Sequence, residues 1–151
     1  MEGVKNSVKL VGEVELKVFD KNGNLKDRRV YKNVIVNDGK ARAAALLNGQ
    51  STTYFSYIAI GTGTTAESAT DTALESEVDR QAATTSVETT NVTNDTAVWQ
   101  ATFTFTTSYA ITESGIFDSA SGGTMLARKT FSAINVESGD SLQVTWKVVV
   151  Q

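Results

Sequence analysis

The chain offers few residues able to do chemistry. It contains no histidine and no cysteine, so the commonest general base, the thiolate nucleophile and the usual zinc ligands are all missing. Carboxylates remain, seventeen Asp and Glu in all, but they are scattered and no pair stands out as acid and base. Gly61-Thr62-Gly63-Thr64-Thr65 is a glycine-rich corner of the kind that can cradle phosphates. No third glycine follows at the dinucleotide spacing and no Gly-Lys-Ser/Thr triplet is present, so a structural turn is expected, with Gly61 and Gly63 free to take positive φ. Asp20-Lys21-Asn22-Gly23-Asn24 holds the first ligands of a calcium loop but neither the later ones nor the closing glutamate. Trp99 and Trp146 would be the stacking platform of a carbohydrate-binding β-sandwich module. Both lie on alternating apolar faces, which predicts core instead. The expectation is a protein that is not an enzyme, with no catalytic, cofactor-binding or metal-ligating residues and no cofactor.

Charge narrows the partner classes. Net charge is −3 with a pI near 5.0, against a protein that coats nucleic acid by neutralising phosphates. Residues 1–50 nevertheless hold ten Lys or Arg against six acids, and residues 51–151 hold four against eleven. The basic stretch at Lys26, Arg28, Arg29 and Lys32 is therefore the candidate contact with an acidic partner. No apolar run approaches the roughly 18 residues of a membrane-spanning helix, and Met1-Glu2-Gly3-Val4-Lys5-Asn6 leads into an alternating segment without the apolar core of a secretory leader. Neither a membrane partner nor export by that route is expected. Asn91-Val92-Thr93 and Asn94-Asp95-Thr96 accordingly read as turn chemistry and not as glycosylation acceptors.

The elements that must position these residues are mostly strands. Tyr54 to Ile60 is the most apolar run and ends at the glycine-threonine corner, which predicts a central strand covered on both faces. Val8 to Phe19 alternates with period two, Asn22-Gly23 predicts a hairpin, and its partner runs from Leu25 to Val36. Asp38 is placed to cap a helix over Lys40 to Leu47, ended by Asn48-Gly49. Ala66 to Arg80 suits a short helix or an ordered excursion. All twenty-one threonines follow residue 50, where branched side chains favour strands. Strands are expected at Thr84 to Val92, Ala97 to Thr106, Ala110 to Asp118, Met125 to Phe131 and Ser141 to Gln151, with Gly115 marking a bulge or a close backbone approach. Seven or eight strands and one or two short helices make the fold mainly β, an antiparallel β-sandwich or jelly-roll-like domain over 8–151 behind an N-terminal arm, 1–7.

Three stretches together resemble small structural proteins of tailed bacteriophages, found among head-decoration, tail and fibre-associated proteins. They are Val30 to Leu47, Tyr57-Ile58-Ala59-Ile60-Gly61-Thr62-Gly63 continuing through Thr72-Ala73-Leu74-Glu75 to Arg80, and Ile111-Thr112-Glu113-Ser114-Gly115-Ile116-Phe117-Asp118 with Gly139 to Trp146. The resemblance implies a non-enzymatic virion protein made in the host cytoplasm, foremost a capsid decoration or cement protein in many copies on the head. A tail or fibre-attachment protein is the alternative. Its implied partners are other copies of itself, as a trimer on a three-fold site, and neighbours such as the major capsid protein, with no nucleic acid, membrane or small-molecule substrate.

Overall fold

The computed structural model describes residues 7–151; the expected arm, apart from Ser7, lies outside the described residues. The alternating segment forms β1 (Leu10–Phe19), with Val14, Leu16 and Val18 buried. Asp20 turns the chain by accepting the backbone N–H groups of Asn22 and Asn24 at 2.8 and 3.0 Å, while Gly23 takes a φ of 82°. The expected hairpin forms, and β2 (Leu25–Lys32) returns antiparallel. The strand expected to run on to Val36 is interrupted at Asn33, which packs against Gly12; a Cβ on Gly12 would lie 1.9 Å from the Asn33 side-chain oxygen. The chain there crosses to the other sheet as β3 (Val34–Ile35).

Helix α1 (Asn37–Leu47) begins earlier than expected, and Asp38 does not cap it: Val36 holds the N-cap position without a side-chain hydrogen bond. Asp38 sits in the first turn, where its charge suits the helix dipole. The central strand is β4 (Tyr57–Gly61), with Ile58, Ala59 and Ile60 buried as expected. No helix forms between Ala66 and Arg80. A loop runs instead to β5 (Glu77–Ala82), followed after one residue by β6 (Thr84–Glu88), then β7 (Thr96–Thr104), β8 (Tyr109–Phe117), β9 (Met125–Val136) and β10 (Ser141–Val150). Among the described residues there are ten strands in place of seven or eight: the stretch 25–35 divides between the sheets at Asn33, and the end of the stretch expected as a helix or excursion forms β5, which passes at Ala83 to β6 in the other sheet.

All pairings are antiparallel, in two five-stranded sheets ordered β2-β1-β10-β7-β6 and β3-β9-β8-β4-β5. This is a β-sandwich. Its core is formed by Leu16, Phe103, Val144 and Trp146 of the first sheet facing Ile58, Ile60, Ile116 and Ile134 of the second. A smaller cluster of Val36, Ala59, Leu74, Phe117 and Met125 covers the other face of the second sheet. β4 is thus apolar throughout because it is buried twice. Gly39 sits inside α1 because the helix lies against β9: a Cβ there would come within 2.4 Å of the Leu126 carbonyl oxygen.

Both tryptophans belong to the interior, and their indole N–H groups are satisfied there. Trp99 donates to the Phe55 carbonyl at 2.8 Å and Trp146 to the Ser114 hydroxyl at 3.1 Å. Trp146→Ala is expected to lower stability by about 3–5 kcal/mol in urea denaturation, the cost of removing a fully buried large aromatic. A loss of a few tenths would mean that the ring contributes no core packing.

Candidate functional site

The glycine-threonine corner and the loop that follows it close around one carboxylate. Glu113, on β8 and fully buried, accepts the backbone N–H groups of Gly63, Glu75 and Ser76 at 2.8, 2.9 and 2.8 Å. Arg128, on β9, adds Nε and Nη2 at 3.1 and 3.0 Å. The same guanidinium pairs with Asp71 at 2.9 Å and donates to the Thr65 carbonyl at 3.0 Å. Burial opposes the charge on Arg128, and the hydrogen bonds it donates to Asp71 and Glu113 outweigh it, so its pKa is raised. Glu75 in turn accepts the N–H groups of Thr64 and Thr65 and the Thr65 hydroxyl. Thr112 donates to the Gly63 carbonyl at 2.6 Å.

Gly61 and Gly63 do not take positive φ, contrary to the sequence-based expectation. Their lack of a side chain is needed for close approach. A Cβ on Gly61 would lie 2.4 Å from the Ser76 carbonyl oxygen, and one on Gly63 would lie 2.5 Å from Oε2 of Glu113. Gly115 likewise permits close approach, with a Cβ at 3.1 Å from the Ala127 carbonyl oxygen. The corner therefore wraps a protein carboxylate and not a phosphate. With five donors on its two oxygens, Glu113 has no acceptor capacity left for a metal or a substrate. Among the described residues no group of three or more Asp or Glu could hold a metal ion.

Further clamps fix the loops around this one. Arg42 of α1 binds Asp118, the Thr124 hydroxyl and the Thr53 carbonyl. Arg80 lies 3.8 Å over the Phe117 ring and donates to the Ser119 and Gly122 carbonyls. Glu67 binds Lys129 at 2.7 Å and the Thr130 hydroxyl at 2.6 Å. Burial opposes the charge on Glu67, but those two hydrogen bonds outweigh it and hold the carboxyl at about 2. In the turn after β6, backbone donors led by Val92, with Thr90 and Asn91, keep the Asp95 carboxyl well below the usual range. The two Asn-Xaa-Thr stretches are thus turn chemistry around a buttressed aspartate.

The basic residues meet acids of their own chain. Arg28 pairs with Glu15 at 2.6 Å, Lys32 with Glu13 at 3.5 Å, and Lys26 with Asp140 at 2.8 Å. Arg29, opposite the buried Leu16, pairs with Asp27 and reaches across to the Ser132 carbonyl at 2.8 Å. Arg28 and Lys32 share the outer face of β2 and remain 54% and 75% exposed. Elsewhere an apolar groove of about 440 Å³ opens between α1 and the sheets, lined by Leu10, Leu47, Tyr54, Thr85, Trp99 and Val150.

Sequence reasoning missed the Glu113–Arg128–Asp71 cluster. Its signal was a glutamate inside the otherwise uncharged Ile111 to Phe117 strand and an arginine after Met125-Leu126-Ala127, two charges in strands that would be tolerated inside as a buried pair.

Because the Glu67 carboxyl is depressed in the folded chain, its contribution is complete above its ordinary pKa of 4.5 and is lost as pH falls towards about 2. Urea denaturation at stepped pH should show Glu67→Gln losing less stability than the native chain across that window. Equal losses would show that Glu67 is not held below its ordinary value.

A family model described as Podophage GP4 fiber I protein gp80 matches residues 40–150, a span that takes in most of α1, strands β4 to β10 and the whole Glu113 clamp. Neither the curated proteins nor the solved structures contain a match. The chain belongs to the podophage GP4 fiber I protein gp80 family, a family of tailed-phage structural proteins.

Proposed function

We propose that the protein is a fibre component of a phage virion and works by being built into an assembly, without a catalytic step. The observation that carries this is the family match over residues 40–150, whose description names a podophage fibre protein. Chemistry supports it: the chain has no histidine or cysteine, and its most buried carboxylate is saturated by five internal donors. That description supports the fibre role over the capsid-decoration role that the sequence resemblance put first.

The β1–β2 hairpin is the part that meets another virion protein. It precedes the family-matched span, and residues 9–32 carry seven Lys or Arg against four Asp or Glu. Asp140 and Glu137, from outside the hairpin, meet Lys26, while Arg28 and Lys32 stay exposed beside their partners. Lys26, Arg28, Arg29 and Lys32 therefore supply the positive face of a contact with an acidic neighbour, with Arg29 also holding β9 in place.

Mass spectrometry of purified virions separated into heads and detached fibre complexes tests the location; recovery with the fibres is expected, and recovery with empty heads would make it a decoration protein. Binding of the purified chain to fibre-depleted particles should weaken as salt rises. The double substitution Arg28→Gln, Lys32→Gln should flatten that dependence, and an unchanged salt response would remove the hairpin from the contact.

A further inference from the structure

Among the described residues the sandwich has four edge strands, and three are protected against pairing with another chain. β2 carries Lys26, Asp27, Arg28, Arg29 and Lys32, β3 is two residues long, and β5 carries Glu77, Asp79 and Arg80. Charges and shortness are the usual ways in which an edge is made unattractive to a neighbouring strand. β6 differs. Its sequence is Thr84-Thr85-Ser86-Val87-Glu88, with no lysine, arginine or proline. Its one charge is drawn aside by an ion pair from Lys147 to Glu88 at 2.9 Å. Every residue of β6 is exposed, Val87 by 59%. β6 is the terminal strand of its sheet, and among the described residues no turn or loop backbone bond reaches it.

We infer that β6 is the strand through which two copies of this chain associate, by antiparallel β6-to-β6 pairing about a two-fold axis centred on Ser86. The pairing is self-complementary. It sets Ser86 opposite Ser86, Thr85 opposite Val87 and Thr84 opposite Glu88 of the second copy, so that branched side chains meet across the strands and no like charges face each other. The two Glu88 residues fall four positions apart, roughly 14 Å at the strand rise, beyond the screening length of about 8 Å at physiological salt.

The inner face continues across the junction. Thr85 and Val87 lie opposite Trp99 and Ala97 in register, and Thr85, Trp99 and Ala97 line the apolar groove. Val87 of the second copy, set beside Thr85, extends that apolar lining and loses exposed surface. A trimer would require two different patches to meet, whereas β6 presents the same patch to both partners, which makes the closed form a dimer. Five residues form a small contact, weak in solution and strengthened where copies are held side by side in a virion. The inference rests on the reading of this protein as one built into assemblies. Its test uses the purified chain, so virion fractionation and β6 pairing can fail separately.

The chain has no cysteine, which makes disulfide trapping clean. Under mild oxidation at submillimolar concentration, Ser86→Cys should form a disulfide-linked dimer, because directly opposed Cα atoms in such a pair lie about 4.5–5.5 Å apart, within the range a disulfide spans. Lys21→Cys, at the exposed hairpin turn, should not cross-link above background. Adding Val87→Lys to Ser86→Cys should cut the yield about tenfold by placing a charge on the edge. Circular dichroism should match the native chain for each variant. In the unsubstituted protein, the β6 amides should become more protected from hydrogen exchange as concentration rises, a readout that needs no variant to fold. Equal trapping of the Lys21→Cys and Ser86→Cys variants, no trapping of Ser86→Cys, concentration-independent exchange of β6, or a trimer by sedimentation would each overturn the pairing.

Discussion

One buried carboxylate holds the second sheet and its covering loop together. An ionised Glu113 in the interior without partners would cost several kcal/mol, more than one domain can easily spare. Three backbone N–H groups and the Arg128 guanidinium remove that cost, and in doing so they fix the path of the loop from Gly61 to Ser76. The dependence runs both ways. The three N–H groups belong to a loop with little regular structure; without Glu113 all three would lose their partner, and that of Gly63 would be left unpaired in the interior. Leu74, which the loop carries to the Ala59, Phe117 and Met125 cluster, reaches its place only if that path is kept.

From this constraint the rest of the arrangement follows. Because the loop covers the outer face of the second sheet, β4 can be apolar on both faces and β8 is buried on both, and the sandwich gains a second small core. Because β5 emerges from the loop at Glu77 on the edge of that sheet, its continuation past Ala83 must cross to the edge of the first, which places β6 at an open border. On the opposite side the crossing at Asn33 leaves β2 as the other border of the first sheet. One border is crowded with charge and the other nearly free of it. That difference sits at the level of sequence, but its meaning depends on where the two crossings put the strands.

Much of the fold was legible beforehand. The period-two segments at Leu10–Phe19 and Ser141–Val150, the Asn22-Gly23 hairpin and the twice-buried β4 are local signals, and each governs a local outcome. The crossings at Asn33 and Ala83 were not legible, because an extended residue that changes sheets has the same local pattern as one that does not. The start of α1 was misplaced because Gly39 looks like a breaker, while its real role is close approach to the Leu126 carbonyl, a tertiary fact. The same holds for Gly61 and Gly63: the need for glycine was visible, but its cause, the nearness of Glu113, required knowing that residues 63 and 113 meet. The basic residues of the hairpin are visible as a cluster in the sequence, whereas their internal partners Glu13, Glu15 and Asp140 depend on strand register.

The claim that the glycine-threonine corner is a clamp around a buried carboxylate, and not a binding site, can be tested on the unmodified protein by amide hydrogen exchange. The N–H groups of Gly63, Glu75 and Ser76 should exchange as slowly as those in the centre of β10, because each is bonded to a carboxylate that opens only with the fold. Exchange at the fast rate of exposed loops such as Asn48 to Thr53 would contradict the account, since the corner would then be open to solvent and Glu113 free to act on something else.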